Sequence, residues 1–268
     1  MKRFAIRFAG LAFSGSALAA AALALTGSAH ASPPTWAGYY IGFNGGAVEG
    51  TTNTGLGVIN GPGPFYFTPG NIPAVVAGGT NQFNNTGSMF GGQFGYMLQA
   101  GNFVGGLEAA FDAMKLKGSV TTTNIYPATV PGAGAPFTFN ESVGADWLLT
   151  LMMRGGLDWG AWYPYATVGA AFASLKYSNT FTDPGFCGNC PAVASQTQVV
   201  AGLAFGGGLE WRLDNHWSLR GEYLRIQFAD DFNGTSSIVQ ILFPFVASFK
   251  HNATFAENIG RGFISYKW

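Results

Sequence analysis

Residues with reactive side chains are few in this sequence, and its only two cysteines stand together as Cys187-Gly188-Asn189-Cys190. A Cys-x-x-Cys spacing can form a redox centre, half of a zinc site or a small disulfide ring. The redox alternative needs a strand–helix–strand setting that the surrounding sequence lacks, and no further ligands are spaced for zinc. We therefore favour a structural disulfide, which contributes only about 2 kcal/mol on the chain-entropy model.

The sequence offers few residues for acid–base or nucleophilic catalysis, because His216 and His251 are the only histidines after the N-terminal segment. Such chemistry generally needs a base beside a nucleophile. Asp230 and Asp231 are adjacent, and adjacent residues of a strand point to opposite faces, so they make a poor catalytic pair. We predict that the protein is not an enzyme and holds no cofactor and no metal.

Charged residues that alternate with apolar ones form a larger group, which the spacing places on one face of extended segments. We predict that this face is the interior of the fold and that it holds five acids and five bases. Because buried charges must be paired, they form either a structural network that fills the interior or a polar path for small solutes. The ten residues are Glu108, Asp112, Asp146, Arg154, Glu210, Arg212, Arg220, Glu222, Arg261 and Lys267.

The elements that must position these charges are β-strands, because apolar residues recur with a period of two. From Phe90 to Ala100 every second residue is aromatic, aliphatic or glycine, and Gly101-Asn102 follows as a tight-turn pair. We predict eight strands, at residues 36–48, 86–100, 103–117, 142–157, 163–176, 198–213, 217–228 and 255–268.

The positions of the charges along these strands predict ion pairs that plug a narrow interior. If Leu213 lies opposite Trp217 across the third short turn, then Glu210 lies opposite Arg220. Glu108 and Arg154 stand at similar heights on the third and fourth strands, so they are expected to meet as well.

The predicted connections alternate between short turns and long loops, a pattern typical of bacterial outer-membrane barrels with turns in the periplasm and loops outside. Six of the seven Trp residues fall at predicted periplasmic strand ends, where amphipathic rings meet lipid headgroups, and only Trp147 does not. The apolar run from Ile238 to Phe249 could extend the last two strands above the membrane. The sequence therefore predicts an all-β fold, an eight-stranded antiparallel up-and-down transmembrane β-barrel in the bacterial outer membrane.

The first 31 residues are predicted to be a signal peptide that is removed. A basic start at Lys2, Arg3 and Arg7 precedes an apolar stretch and the small-x-small site Ala29-His30-Ala31. A membrane-anchoring helix is the alternative. We expect residues 32–268 to form the barrel, with four long extracellular loops.

The charge content of residues 32–268 supports a surface that meets lipid. Ten basic and 13 acidic residues remain there, beside 40 Gly and 24 Phe in the whole chain. Soluble domains carry about 25% charged residues, and the polar face of a soluble barrel or sandwich would be densely charged. Outer-membrane lipid is therefore the expected partner, and the lack of a basic patch argues against nucleic acid.

Several strand segments, taken in order, resemble the strands of one protein family. They are Trp36-Ala37-Gly38-Tyr39-Tyr40-Ile41-Gly42, Gly91-Gly92-Gln93-Phe94-Gly95-Tyr96, Gly101 to Glu108, Gly206 to Trp211, Asp214 to Tyr223 and Ser265-Tyr266-Lys267-Trp268. These segments resemble the immunogenic outer-membrane-protein β-barrel family, small porin-family barrels related to the OmpA transmembrane domain.

The resemblance implies an eight-stranded barrel that periplasmic chaperones and the outer-membrane insertion machinery deliver. That machinery reads a terminal aromatic residue with apolar residues at alternate positions before it, here Ile264, Tyr266 and Trp268. The terminus is Trp where Phe is usual, and Phe263 stands where a small luminal residue is common. Some relatives are linked to haem capture, which we do not transfer, because the lone loop residue His251 is expected to be solvated.

Three functional hypotheses follow. The leading one is a structural, surface-exposed outer-membrane protein, or surface antigen, that contributes to envelope integrity without catalysis. The others are a narrow porin for small solutes and a receptor or adhesin whose loops bind a ligand. The sequence does not identify a surface ligand.

Overall fold

The computed structural model describes residues 35–61, 66–127, 134–187, 191–229, 232–239 and 246–268. These residues form nine strands and two short helices. They are β1 Gly38–Asn60, α1 Ile72–Gly78, β2 Gln82–Ala100, β3 Phe103–Ile125, β4 Pro136–Leu157, β5 Trp162–Thr182, α2 Pro184–Cys187, β6 Ala192–Arg212, β7 Trp217–Phe228, β8 Phe232–Val239 and β9 Val246–Lys267.

The strands close into an antiparallel up-and-down ring with eight positions, which confirms the predicted fold. β1 pairs with β2 on one side and with β9 on the other, so the sheet closes on itself. β7 and β8 share one position, because both pair with β9, β7 near the turns and β8 near the loops. Gly101 has φ of +61° in the predicted β2–β3 turn, a conformation that strains L-residues, which carry a Cβ. By analogy with outer-membrane barrels, we assign the turns to the periplasm and the loops to the outside.

The strands are longer at the loop end than the sequence predicted. β1 continues to Asn60 rather than residue 48, and β9 begins at Val246 rather than residue 255. The outward face is apolar only over the part nearest the turns, and beyond it carries Ser, Thr, Asn and Lys. The apolar–polar alternation therefore stops where the wall leaves the membrane, although the backbone ladder continues. The expectation that Ile238 to Phe249 extends the last strands is confirmed for the described residues of that run.

The interior of the barrel is layered. Charged side chains fill the part nearest the turns, an apolar layer that includes Leu148, Val200 and Leu224 lies above them, and aromatic rings fill the loop end. We call the last layer the aromatic cap; its members are Tyr66, Phe67, Tyr126, Phe137, Phe139, Phe181 and Phe249. An eight-stranded barrel has an interior just wide enough for side chains to fill it.

The two helices are short. Helix α1 lies within the predicted first loop and has Pro at its first turn, where a missing N–H is tolerated. Among the residues that the structure describes, no helix is long and apolar enough to cross a membrane.

The position of the lipid-facing band can be tested by charge insertion. Leu203 faces outward within the band and is 53% exposed, so Leu203→Arg should cost roughly 2–4 kcal/mol of unfolding free energy. Ser195 lies on the same strand and face beyond the band, where Ser195→Arg should cost about 0–1 kcal/mol. Urea unfolding of the refolded protein in lipid vesicles measures both, and equal costs would mean that the band is misplaced.

Candidate functional site: a charge cluster in the membrane-spanning lumen

Seven of the ten predicted interior charges lie together inside the barrel, where strand alternation turns them away from lipid. The strands that carry them are β3, β4, β6, β7 and β9. Each residue is at most 7% exposed. The members of this luminal cluster are Glu108, Asp112, Arg154, Glu210, Arg220, Glu222 and Arg261.

Glu108 is the centre of the luminal cluster. Arg220 donates to both of its oxygens, Nη1 to Oε2 at 2.7 Å and Nη2 to Oε1 at 2.9 Å. Arg154 approaches the same carboxylate at 3.3 Å, and the Tyr40 hydroxyl donates to it at 2.5 Å. The bidentate Arg220 contact crosses the lumen from β7 to β3, and paired parallel hydrogen bonds of this kind are strong and directional.

Arg154 joins Glu108 to a second carboxylate. Its Nη2 donates to Glu210 Oε2 at 2.6 Å, and the Ser218 hydroxyl donates to the other Glu210 oxygen at 2.6 Å. The guanidinium also lies 4.1 Å from the centre of the Tyr165 ring. A buried cation is thereby held by two carboxylates and an aromatic face.

Arg261 completes the luminal cluster on β9. Its Nε donates to Glu222 at 2.9 Å and its Nη1 donates to Asp112 at 3.3 Å. The Phe263 ring lies 3.5 Å from the Arg220 guanidinium and 4.9 Å from that of Arg261. This large ring occupies a place where the resembled family commonly has a small luminal residue, and it packs against both arginines.

Tyrosine hydroxyls belong to the charge network, although they were not predicted from the sequence. The luminal cluster holds three arginines and four carboxylates, so hydrogen-bond donors other than arginine help to satisfy the acids. The Tyr40 hydroxyl donates to Glu108, and the Tyr165 hydroxyl donates to Glu222 at 2.5 Å. Both tyrosines stand at inward positions of their strands, which was the available signal. The close approach of Tyr40 also explains Gly95, where a Cβ would lie 2.3 Å from the tyrosine oxygen.

The prediction that Asp146 faces the interior is wrong. Its side chain is 56% exposed on the outer wall and pairs with Lys176 at 2.5 Å. The register between β4 and β5 shifts between Ala145 and Leu148, where β4 carries an extra residue. This bulge turns both Asp146 and Trp147 outward and interrupts the alternation from which the prediction was made.

Arg212 and Lys267 lie at the periplasmic mouth rather than in the luminal cluster. The Arg212 guanidinium stacks 4.3 Å from the Trp36 ring, which is buried in the mouth rather than placed at the lipid interface. Burial raises the pKa of Asp158 in the nearby turn, but hydrogen bonds from Trp36, Gln99 and the Gly160 backbone outweigh burial and lower it overall.

The predicted register between β6 and β7 is confirmed, whereas the ion pair expected between Glu210 and Arg220 is not. Glu210 and Arg220 are directly opposed, yet the ion pairs of the luminal cluster join Glu210 to Arg154 and Arg220 to Glu108. The arginine side chain is long enough to cross the narrow lumen. On β3, the two carboxylate oxygens of Glu108 can accept two parallel hydrogen bonds from Arg220. The expected contact between Glu108 and Arg154 on adjacent strands is present.

The side chains considered for catalysis are not brought together. His216 lies in the exposed β6–β7 turn and stacks on Tyr266, whereas His251 lies inside the loop end of β9. Asp230 and Asp231, the Cys187–Cys190 ring and the signal peptide at residues 1–31 involve positions outside the described residues. The part of the chain that the structure describes contains no cluster of metal-ligating side chains.

The expectation that His251 is solvated is wrong, because β9 begins earlier than predicted and alternation places this residue inside. His251 is 3% exposed and lies 2.9 Å from the Ser236 hydroxyl, in the part of the barrel beyond the lipid-facing band. Burial lowers the pKa of His251 from 6.5 to about 4.

This burial predicts a pH-dependent stability. The unfolded chain takes up the His251 proton more readily, so the stabilisation present above pH 6.5 should be lost progressively as the pH falls towards 4. His251→Gln should flatten that part of the pH profile, measured as unfolding midpoints between pH 4 and 7. His216→Gln, in an exposed turn, is the control, and an unchanged profile in His251→Gln would contradict the assignment.

The closed barrel, its lipid-facing band and its buried luminal charges together define an outer-membrane β-barrel protein. A family model described as the outer membrane protein beta-barrel domain matches residues 17–245, and the chain belongs to this family. Its place is accordingly the bacterial outer membrane.

Among solved structures, the chain is similar to the outer membrane protease OmpT from Escherichia coli, with 11% identity, a TM-score of 0.40, and coverage of 86% of this chain and 97% of that one. It is also similar to OprG from Pseudomonas aeruginosa, with 16% identity, a TM-score of 0.36, and coverage of 85% and 96%. Ail from Yersinia pestis gives 11% identity, a TM-score of 0.27, and coverage of 81% and 97%. No curated protein matches the sequence.

Proposed function

We propose that this protein is a structural, surface-exposed component of the outer membrane that contributes to envelope integrity and does not conduct solutes steadily. The observation that carries the proposal is the bidentate bridge from Arg220 to Glu108 across the lumen, both side chains being 1% exposed. With Arg154 and Arg261 beside it, the bridge occupies the space through which a solute would pass.

The loop end of the barrel supports the same function. Four ring centroids lie 4.9–6.0 Å from that of Phe181, so the aromatic cap is a packed core rather than a water-filled vestibule. The Tyr126 and Tyr66 hydroxyls donate to the buried carboxylate of Asp183 at 2.6 and 3.2 Å. A core at this level stiffens the wall beyond the membrane and holds the surface loops on a rigid support.

We further propose how the protein is exported, how its third loop is closed and how the barrel is inserted. The protein acts without catalysis, is exported by the signal peptide at residues 1–31, and is presented as a surface antigen. Cys187 and Cys190 form a disulfide in the third loop. Periplasmic chaperones and the insertion machinery deliver the chain, with Ile264, Tyr266 and Trp268 as the signal; all three side chains point outward, where a receptor can reach them.

Planar-bilayer recording tests the proposal and separates it from the narrow-porin alternative. The wild-type protein should show little steady conductance, because paired charges and aromatic rings occupy the lumen. Faster migration of unheated protein on a detergent gel shows that the barrel is folded in the same preparation. Steady, ion-selective currents from such a preparation would favour a porin, whereas ligand binding that depends on intact loops would favour a receptor or adhesin.

A further inference from the structure

The outer wall of β3, β4 and β5 changes character over a short distance. Its lipid-facing band ends in the aromatic residues Phe111, Trp147 and Phe172, and the rings of the first two stack at 6.1 Å. Aromatic belts of this kind mark the level at which lipid headgroups begin. Side chains immediately beyond these rings therefore meet the headgroups of the outer leaflet.

A groove of about 690 Å³ lies directly beyond this aromatic edge. Lys117 and Lys176 flank Gly144, which is paired with both of them across the three strands. The next row consists entirely of serines, which pair in sequence from β3 to β6 and line the same groove. They are Ser119, Ser142, Ser178 and Ser195.

The geometry of the groove suits a ligand larger than a single ion. Neighbouring strands lie about 4.8 Å apart, so the backbones of Lys117 and Lys176 are separated by roughly 10 Å. Gly144 leaves the floor between them open, since a Cβ there would contact only the Leu116 carbonyl oxygen, at 3.3 Å. The ammonium groups of Lys117 and Lys176 thus stand on either side of the groove, and the row of serine hydroxyls lines its next part.

The charge of the groove selects an anionic partner. Lys115 and Lys117 are exposed on the same face of β3, and Lys176 is 53% exposed. The acid among them is Asp146, which the β4 bulge turns outward against Lys176 at 2.5 Å. Glu49 lies in the same row as Lys117, two strands away on β1, so three cations stand against two carboxylates. The surface at headgroup level is therefore net positive, and phosphate is the complementary group.

We propose that this groove, defined by Lys117, Gly144, Lys176 and the four serines, binds the phosphorylated sugar headgroup of an outer-leaflet glycolipid. The lysines contact phosphate, and the serine hydroxyls hydrogen-bond to sugar oxygens. The acyl chains of the same lipid lie against the aromatic edge below. This binding is independent of whether the lumen conducts.

The test is retention of lipopolysaccharide by the refolded barrel in detergent, measured as glycolipid bound per barrel over a titration. The wild type should bind lipopolysaccharide with intact lipid A phosphates, and the dephosphorylated form should bind more weakly. Each lysine near an anionic headgroup is worth about a fivefold change in affinity, so Lys117→Ala/Lys176→Ala should weaken binding roughly 25-fold. Lys250→Ala removes an exposed outward lysine at the loop end of β9, three strands away from β3, and should leave binding unchanged.

Asp146→Asn is a second variant, and its expected effect is a gain of lipopolysaccharide binding rather than a loss. Removing the carboxylate that competes for Lys176 should tighten binding, whereas a groove with only a structural role gains nothing from this change. The gel shift of unheated protein verifies folding in each variant. Equal binding by the wild type and the double lysine variant, equal binding of dephosphorylated lipid, or saturation by inorganic phosphate alone would each overturn the proposal.

Discussion

Replacing Arg220 by methionine should destabilise the folded barrel by about 3–5 kcal/mol, because it leaves the carboxylate of Glu108 buried without its bidentate partner. Methionine preserves much of the side-chain volume, so the loss reports on charge rather than on a cavity. Unfolding by urea in lipid vesicles measures the change. Lys250→Met, which removes an exposed charge, serves as the control and should cost less than 0.5 kcal/mol or so.

A pair of double variants identifies the partner of Arg220. Glu108→Gln/Arg220→Met should be more stable than Arg220→Met alone, because no uncompensated carboxylate remains at Glu108 and Arg154 keeps Glu210. Glu210→Gln/Arg220→Met should recover nothing, because its first change removes a carboxylate that pairs with Arg154. Equal recovery in the two double variants would contradict the assigned ion pairs.

Phe181→Ala should cost about 3–5 kcal/mol, the range for removing a buried aromatic side chain from a packed core. Phe181 is fully buried in the aromatic cap, and the rings of Phe139 and Phe249 lie 4.9 and 5.0 Å from its own. Thermal or urea unfolding provides the measurement. Ile125→Ala is the control, because Ile125 is 64% exposed beyond the lipid-facing band and contributes little to packing.

The outcome also tests the role of the aromatic cap. If Phe181→Ala is no more costly than Ile125→Ala, the loop end is not a packed core and the proposed rigid support for the loops fails. A destabilised Phe181→Ala protein that remains non-conducting would assign the barrier to the luminal cluster rather than to the aromatic cap.

The amino-acid sequence by itself determined the barrel, its eight wall positions, its short turns and the inward placement of the luminal cluster. These features are local, because alternation is set by the two-residue period of a strand and turns by residues such as Gly101. The register of Glu210 with Arg220 followed from counting outward from one turn. Apolar alternation failed where the wall leaves lipid, since its outward residues there no longer need to be apolar.

Only the tertiary structure decided which charges meet and where the alternation breaks. Glu108 and Arg220 are 112 residues apart in sequence and lie on strands that are not neighbours, so lumen width and side-chain reach select the pair. One extra residue in β4 moves Asp146 from the predicted interior to the outer wall. An earlier start of β9 buries His251. Each depends on how the closed ring aligns distant strands, which no single segment encodes.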